Sequence, residues 1–170
     1  MTKLSESLRS TADEYRQGAD RPLGGYVVAM TAFAGLVGVA GVVAALRGTS
    51  SRRISPYDLI LMTAGTHKLA RLMSKDAITS PLRMPFTRYK DTGGPSEVME
   101  EPREQGQLRH AVGELVSCPF CLSVWVATGF SIGFVFAPRF TRLAASVMTA
   151  VAGADYLQLI YASLQQAAED

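Results

Sequence analysis

Cysteine is nearly absent from the chain: two in 170 residues, Cys118 and Cys121, too few for the disulfide framework of a small secreted scaffold. An excess of either charge is also missing. Seventeen basic and 15 acidic residues leave a net +2, no basic stripe is interleaved with aromatics, and nucleic acid is therefore not expected as a partner. The chain has no nucleotide-binding glycine loop, no HExxH, no nucleophile elbow and no paired carboxylates, which lowers the expectation of an enzyme. The most telling lack is local. Leu23 to Leu46 and Leu115 to Pro138 contain no Asp, Glu, Lys or Arg, and Leu143 to Ala168 contains only Asp155. Uncharged runs of about 18 residues or more match a hydrocarbon core of roughly 30 Å, so an ordinary soluble domain is excluded.

The expected fold is an all-α polytopic membrane bundle of four transmembrane helices near 22–46, 57–75, 117–137 and 142–165. Residues 1–21 form an amphipathic amino-terminal tail, 22–165 the helical domain with a loop at about 75–113, and 166–170 a carboxy-terminal tail. A cleaved signal peptide is not expected, since the first run exceeds the h-region length of about 7–15 residues and follows a mixed-charge tail. Asp20 is placed to cap the first span, ahead of Pro22.

The second segment is ambiguous. Tyr57 to Ala64 reads as membrane, whereas His67, Lys68 and Arg71 interrupt the second half of the segment. At 100° per residue Leu61, Met62, Gly65, Leu69, Leu72 and Met73 share one face, and Thr63, His67, Arg71 and Ser74 the opposite one. The spanning reading turns that polar stripe into the bundle with Lys68 snorkelling; the alternative has three spans and one interfacial helix. Lys75 to Gly113, with Pro81, Pro85, Pro95, Pro102 and the Gly93, Gly94 pair, is expected to be a loop with a mobile middle at Asp91 to Gln107. Within it Ser80 to Phe86 is expected to be an extended segment on the headgroups.

With four spans, ten basic residues in the amino-terminal tail and the long loop lie on one side. Five lie on the other: Arg47, Arg52, Arg53, Arg139 and Arg142. The positive-inside rule then places both termini and the loop in the cytoplasm. With three spans the amino terminus moves outside.

Small residues Ala34, Gly38, Gly41 and Ala45 on the first span, and Gly129 and Gly133 on the third, are expected to be packing positions. Asp155, midway along an uncharged helix, is expected to be buried in an ion pair with His67 or Arg71, as a structural contact or a proton relay. Cys118-Pro119-Phe120-Cys121 at a helix entry leaves three readings open. It is structural; it is a dithiol for exchange; or it is half of a zinc site completed by His110 and His67. No cofactor is expected on the first two readings, and zinc on the third.

The segments Thr66 to Leu72, Lys75 to Arg83 and Leu115 to Ala127, with the CPFC pair followed by Trp125, resemble an uncharacterised bacterial family catalogued as domain of unknown function thirteen-sixty. That family tends to have Trp where Phe120 stands here. The resemblance covers about 60 to 70 residues and implies a small bacterial membrane protein without an assigned activity. The functional expectation is a non-enzymatic accessory or scaffold subunit, partnered by the bilayer and by other membrane subunits or further copies of itself. The alternatives are a membrane thiol-redox protein and a metal-stabilised membrane protein.

Overall fold

A computed structural model describes residues 2–49 and 53–169. Arg52, counted above in the basic tally, lies outside the described residues. The chain is mostly helical: α1 (Thr2–Arg16), α2 (Leu23–Leu46), α3 (Pro56–Lys75), a 3-10 turn (Ala77–Thr79), α4 (Ser80–Arg83), α5 (Gln107–Ser117), α6 (Pro119–Phe136) and α7 (Pro138–Glu169). Between α4 and α5 stands an antiparallel hairpin, β1 (Thr87–Thr92) and β2 (Val98–Pro102). The chain is thus not all-α.

Three helices, α2, α6 and α7, are long and apolar enough to cross a membrane by length and composition. The fourth expected span, α3, is an unbroken helix of 20 residues, about 30 Å at 1.5 Å per residue. Ser55 starts it by accepting the Asp58 N–H at 3.1 Å, and Pro56 takes a first-turn position where its missing N–H costs nothing. At the entry to α2, by contrast, Pro22 stands in the cap position without any side-chain hydrogen bond, so Asp20 does not cap it.

The core lies where α3 packs on the α6 and α7 hairpin. Leu61, Phe130 and Ala145 are buried there, with Met62, Leu69, Val126 and Ala144 against them. Helices α3 and α7 run in the same direction. Asp58 meets Arg142 near one end, the Thr149 hydroxyl donates to the Leu61 carbonyl at 3.0 Å, and Lys68 meets Asp155 further along. The backbones approach at Gly65, where a Cβ would stand 3.2 Å from the Ala145 carbonyl oxygen. Small residues allow this closeness.

Except at Gly133, the close approaches fall at other positions than the expected ones. Ala34, Gly38, Gly41 and Ala45 are exposed, and a Cβ at Gly38, Gly41 or Gly129 would meet nothing within 4 Å. At Gly133, as expected, the helices are close: a Cβ there would stand 2.5 Å from the Thr141 hydroxyl of α7. Helix α2 instead docks its start on α5, where a Cβ on Gly25 would stand 2.6 Å from the Ala111 Cβ. Its later contacts are edge-on packing of Phe33 on Trp125 at 5.1 Å and Arg47 over the Phe136 ring at 5.8 Å.

Three further expectations are corrected. The polar stripe of α3 does not turn inward: Thr63, His67 and Arg71 are exposed and only Ser74 is buried, because the opposite face already fills the groove between α6 and α7. The segment 75–113 is not an irregular loop. Ser80 to Arg83 is a helical turn, not an extended strip, and Asp91 to Gln107 contributes the end of β1, the whole of β2 and the entry to α5. Finally, α7 begins at Pro138, so Ala137 alone separates α6 from α7 and Arg139 and Arg142 belong to the first turns of a 32-residue helix.

Candidate functional site

The segment 76–117 forms a cap on the ends of the helices, built around one guanidinium. Arg83 is 1% exposed. Its Nε and Nη2 donate to the two Glu100 carboxylate oxygens at 2.7 and 3.1 Å, and Nη1 donates to the Met73 carbonyl at 2.8 Å and the Thr79 hydroxyl at 2.6 Å. Nη2 also reaches the Asp76 carbonyl and the Ser80 hydroxyl. One side chain therefore satisfies carbonyls at the end of α3, where the last turn lacks intrahelical partners, and ties them to β2. Thr87 adds a hydroxyl donated to Glu100 at 2.9 Å. Burial raises the Glu100 carboxyl, but the hydrogen bonds from Arg83, Thr87 and Ser80 and the Arg83 charge outweigh it and hold it below the usual range. This network was missed in the sequence; its signal was the run from Lys75 to Arg83.

The cysteines stand at the seam between α5 and α6. Cys118 caps α6: its Sγ accepts the Cys121 N–H at 3.4 Å, and Pro119 follows at the first helical position. Both thiols are free; Cys118 is half-buried and Cys121 exposed. Burial raises the Cys118 thiol, but hydrogen bonds from the Cys121 thiol and from the Cys121 and Phe120 backbone, with the Lys75 charge, prevail and lower it from the ordinary thiol range. Because a small cap and a proline suffice to start the helix, the double change of Cys118 and Cys121 to serine is expected to leave the helices assembled. Circular dichroism in detergent checks this, and loss of helicity would contradict it.

His110 and His67 do not join the cysteines. His110 Nε2 lies 3.7 Å from Glu114, which also meets Arg21 and accepts from the Tyr26 hydroxyl, pinning α2 to α5. His67 stacks on Tyr156 of α7, with ring centroids 6.3 Å apart. Among the described residues no group of three or more His, Cys, Asp or Glu side chains is placed to hold a metal ion.

Asp155 has a basic partner, but it is Lys68 rather than His67 or Arg71, with Nζ to Oδ2 at 2.6 Å, and the Asp155 side chain is 45% exposed rather than buried. Arg71 is taken by Glu97 of the cap, with Nε and Nη2 on the two carboxylate oxygens at 2.6 and 2.8 Å. Lys68 follows His67 by about 100° around α3, and it is Lys68 that reaches the Asp155 carboxylate while His67 lies on the Tyr156 ring. Asp58 is likewise paired with Arg142, through two hydrogen bonds of 2.7 and 2.8 Å. Asp58, Lys68 and Arg71 of α3 are thus each paired with a side chain from another element.

The segments of α3 and α6 singled out in the sequence meet in space. Thr66, His67, Ala70 and Arg71 of α3 face Pro119, Phe120 and Ser123 of α6 across a cavity of about 260 Å³. A second, of about 580 Å³, opens between α3 and α7 and shares Thr63 and His67 with the first.

No solved structure matches the chain. Two proteins of Bacillus subtilis (strain 168) are similar to it. Sporulation protein YjcA is 37% identical over 82 residues, which cover 46% of this chain and 68% of that protein. UPF0713 protein YngL is 28% identical over 90 residues, covering 51% of this chain and 65% of that protein. Residues 61–161, which hold most of α3, the whole cap, α6 and most of α7, match the family model described as Protein of unknown function (DUF1360), and the chain belongs to that family.

Proposed function

We propose that the chain is an integral protein of the bacterial cytoplasmic membrane that crosses it four times, with both termini and the cap in the cytoplasm, and that it serves as a non-enzymatic accessory or scaffold subunit. Helix α3 is the span that hydropathy alone misses. Its charges lower its mean hydropathy, yet Asp58, Lys68 and Arg71 each have a counter-charge, which offsets the cost of carrying them into a bilayer. The arginines and lysines of the cap agree with a cytoplasmic placement.

The observation that carries the scaffold reading is the open strip on α2. Ala34, Gly38, Gly41 and Ala45 are small and exposed, and this is the kind of surface against which another membrane helix packs closely. Purification in mild detergent should yield a complex with a second copy or another membrane subunit, and Gly38→Leu with Gly41→Leu should dissociate it. A monomer, or a complex indifferent to both changes, would contradict the reading.

A thiol-exchange role is the second reading, favoured by the lowered Cys118 thiol beside an exposed Cys121. It requires the pair to cycle. Acid trapping and alkylation of cells in aerobic growth should then find the Cys118 to Cys121 disulfide, whereas uniformly reduced thiols leave the scaffold reading alone.

A further inference from the structure

The two cavities flanking α3 form one groove with a polar end and an apolar end. At the cap end, Arg71 gives Nε and Nη2 to Glu97, while its Nη1 donates to nothing among the described residues. The His67 ring nitrogens make no hydrogen bond among those residues either, although the ring is held by its stack on Tyr156. The Thr66 hydroxyl is buried without a partner and its residue lines the same cavity. A buried hydroxyl left unpaired costs free energy, so a site that supplies an acceptor there is favoured. Past Thr63 the lining becomes Leu59, Ile60, Ala64 and Ala152, a surface suited to a hydrocarbon chain. The depths agree with this polarity: counted from Lys75 at 1.5 Å per residue, Arg71 lies about 6 Å inside the helix end and Ile60 about 22 Å.

We infer that this groove holds one phospholipid, with its phosphodiester oxygens taking the donors of Arg71, His67 and Thr66 and one acyl chain crossing Thr63 toward Leu59 and Ile60. Glu97 covers one edge of the Arg71 guanidinium and fixes it, so that the other edge faces the groove; a guanidinium with its five N–H donors can serve both partners. The combined volume lies within the range of small-molecule sites. The inference rests on α3 spanning the membrane.

The test is lipid phosphorus per chain after the membrane-extracted protein has been passed exhaustively into detergent. Wild-type protein is expected to retain stoichiometric phospholipid. Thr63→Phe, which fills the junction from an exposed position, and Arg71→Gln are each expected to lose most of it, while Val39→Leu on α2 keeps it. Thr63→Phe guards against the outcome in which Arg71→Gln merely loosens Glu97. Lipid-free wild-type protein, or equal retention by Thr63→Phe, overturns the inference while leaving the spanning reading intact. Release of the protein from membranes by alkaline carbonate without detergent overturns both.

Discussion

Replacing Arg83 with alanine is expected to unfold the cap while leaving the long helices formed. The Arg83 and Glu100 side chains are 2% and 5% exposed, so either truncation strands an uncompensated charge, at a cost of about 3–5 kcal/mol. Arg83→Ala also removes the donors that satisfy the Met73 and Asp76 carbonyls at the end of α3. Amide exchange of residues 87–102 should rise toward unprotected rates in Arg83→Ala and in Glu100→Ala. The paired change Arg83→Met with Glu100→Leu should recover part of the protection, because no charge is then left without a partner. The lowered Glu100 carboxyl also sets a pH dependence. Its contribution is fully present above the unfolded-state value of about 4.3 and is lost as pH falls below that through the folded value. Protection of the hairpin should accordingly hold at neutral pH and decline in acid. A profile flat from neutrality to pH 3 would contradict the assignment.

Asp155→Asn is expected to have the second-largest effect, on assembly of α7 against α3. Lys68 would keep its charge without a partner at a cost of about 2.5–3.5 kcal/mol on insertion scales for a centrally placed ion, reduced by as much as its long stem can snorkel. Lys68→Met alone should be harmful too, and the combination of both changes should cost less than the sum. The same cycle run with Arg71 should be additive, since Arg71 belongs to Glu97. Coupling of Asp155 to Arg71 instead of Lys68 would show that the helices are rotated from the arrangement described.

The range of each interaction decided whether composition and periodicity could reveal it. Leu23 to Leu46 and Pro119 to Phe136 were legible because absence of charge over a membrane thickness is a property of the segment itself. The buried face of α3 was legible for the same reason, as Leu61, Met62, Gly65 and Leu69 fall on one side at helical spacing. Which cation would meet Asp155 was not, because His67, Lys68 and Arg71 lie within about one helical turn and only the rotation of α3 against α7 chooses among them. The hairpin was hidden by its prolines and glycines, which read as loop, while the contact that orders it, Arg83 reaching Glu100, joins residues 17 apart in sequence. The Gly38 and Gly41 strip was legible as composition, but composition does not say whether the packing partner lies in the same chain. For the thiols, the CPFC spacing forecast a helix entry, and the capping of α6 by Cys118 matches it. The chemistry of that pair depends on what approaches it from outside.

Side-specific labelling of single cysteines, in a background with Cys118 and Cys121 changed to serine, tests the four-span account most directly. With cysteine introduced in turn at Ser7, Thr92 and Thr49, the account predicts that Ser7 and Thr92 stay protected from a membrane-impermeant reagent in intact cells and that Thr49, in the connection from α2 to α3, reacts. Reaction at Ser7 with protection at both Thr49 and Thr92 would contradict it, because α3 would then lie on the cytoplasmic side without crossing.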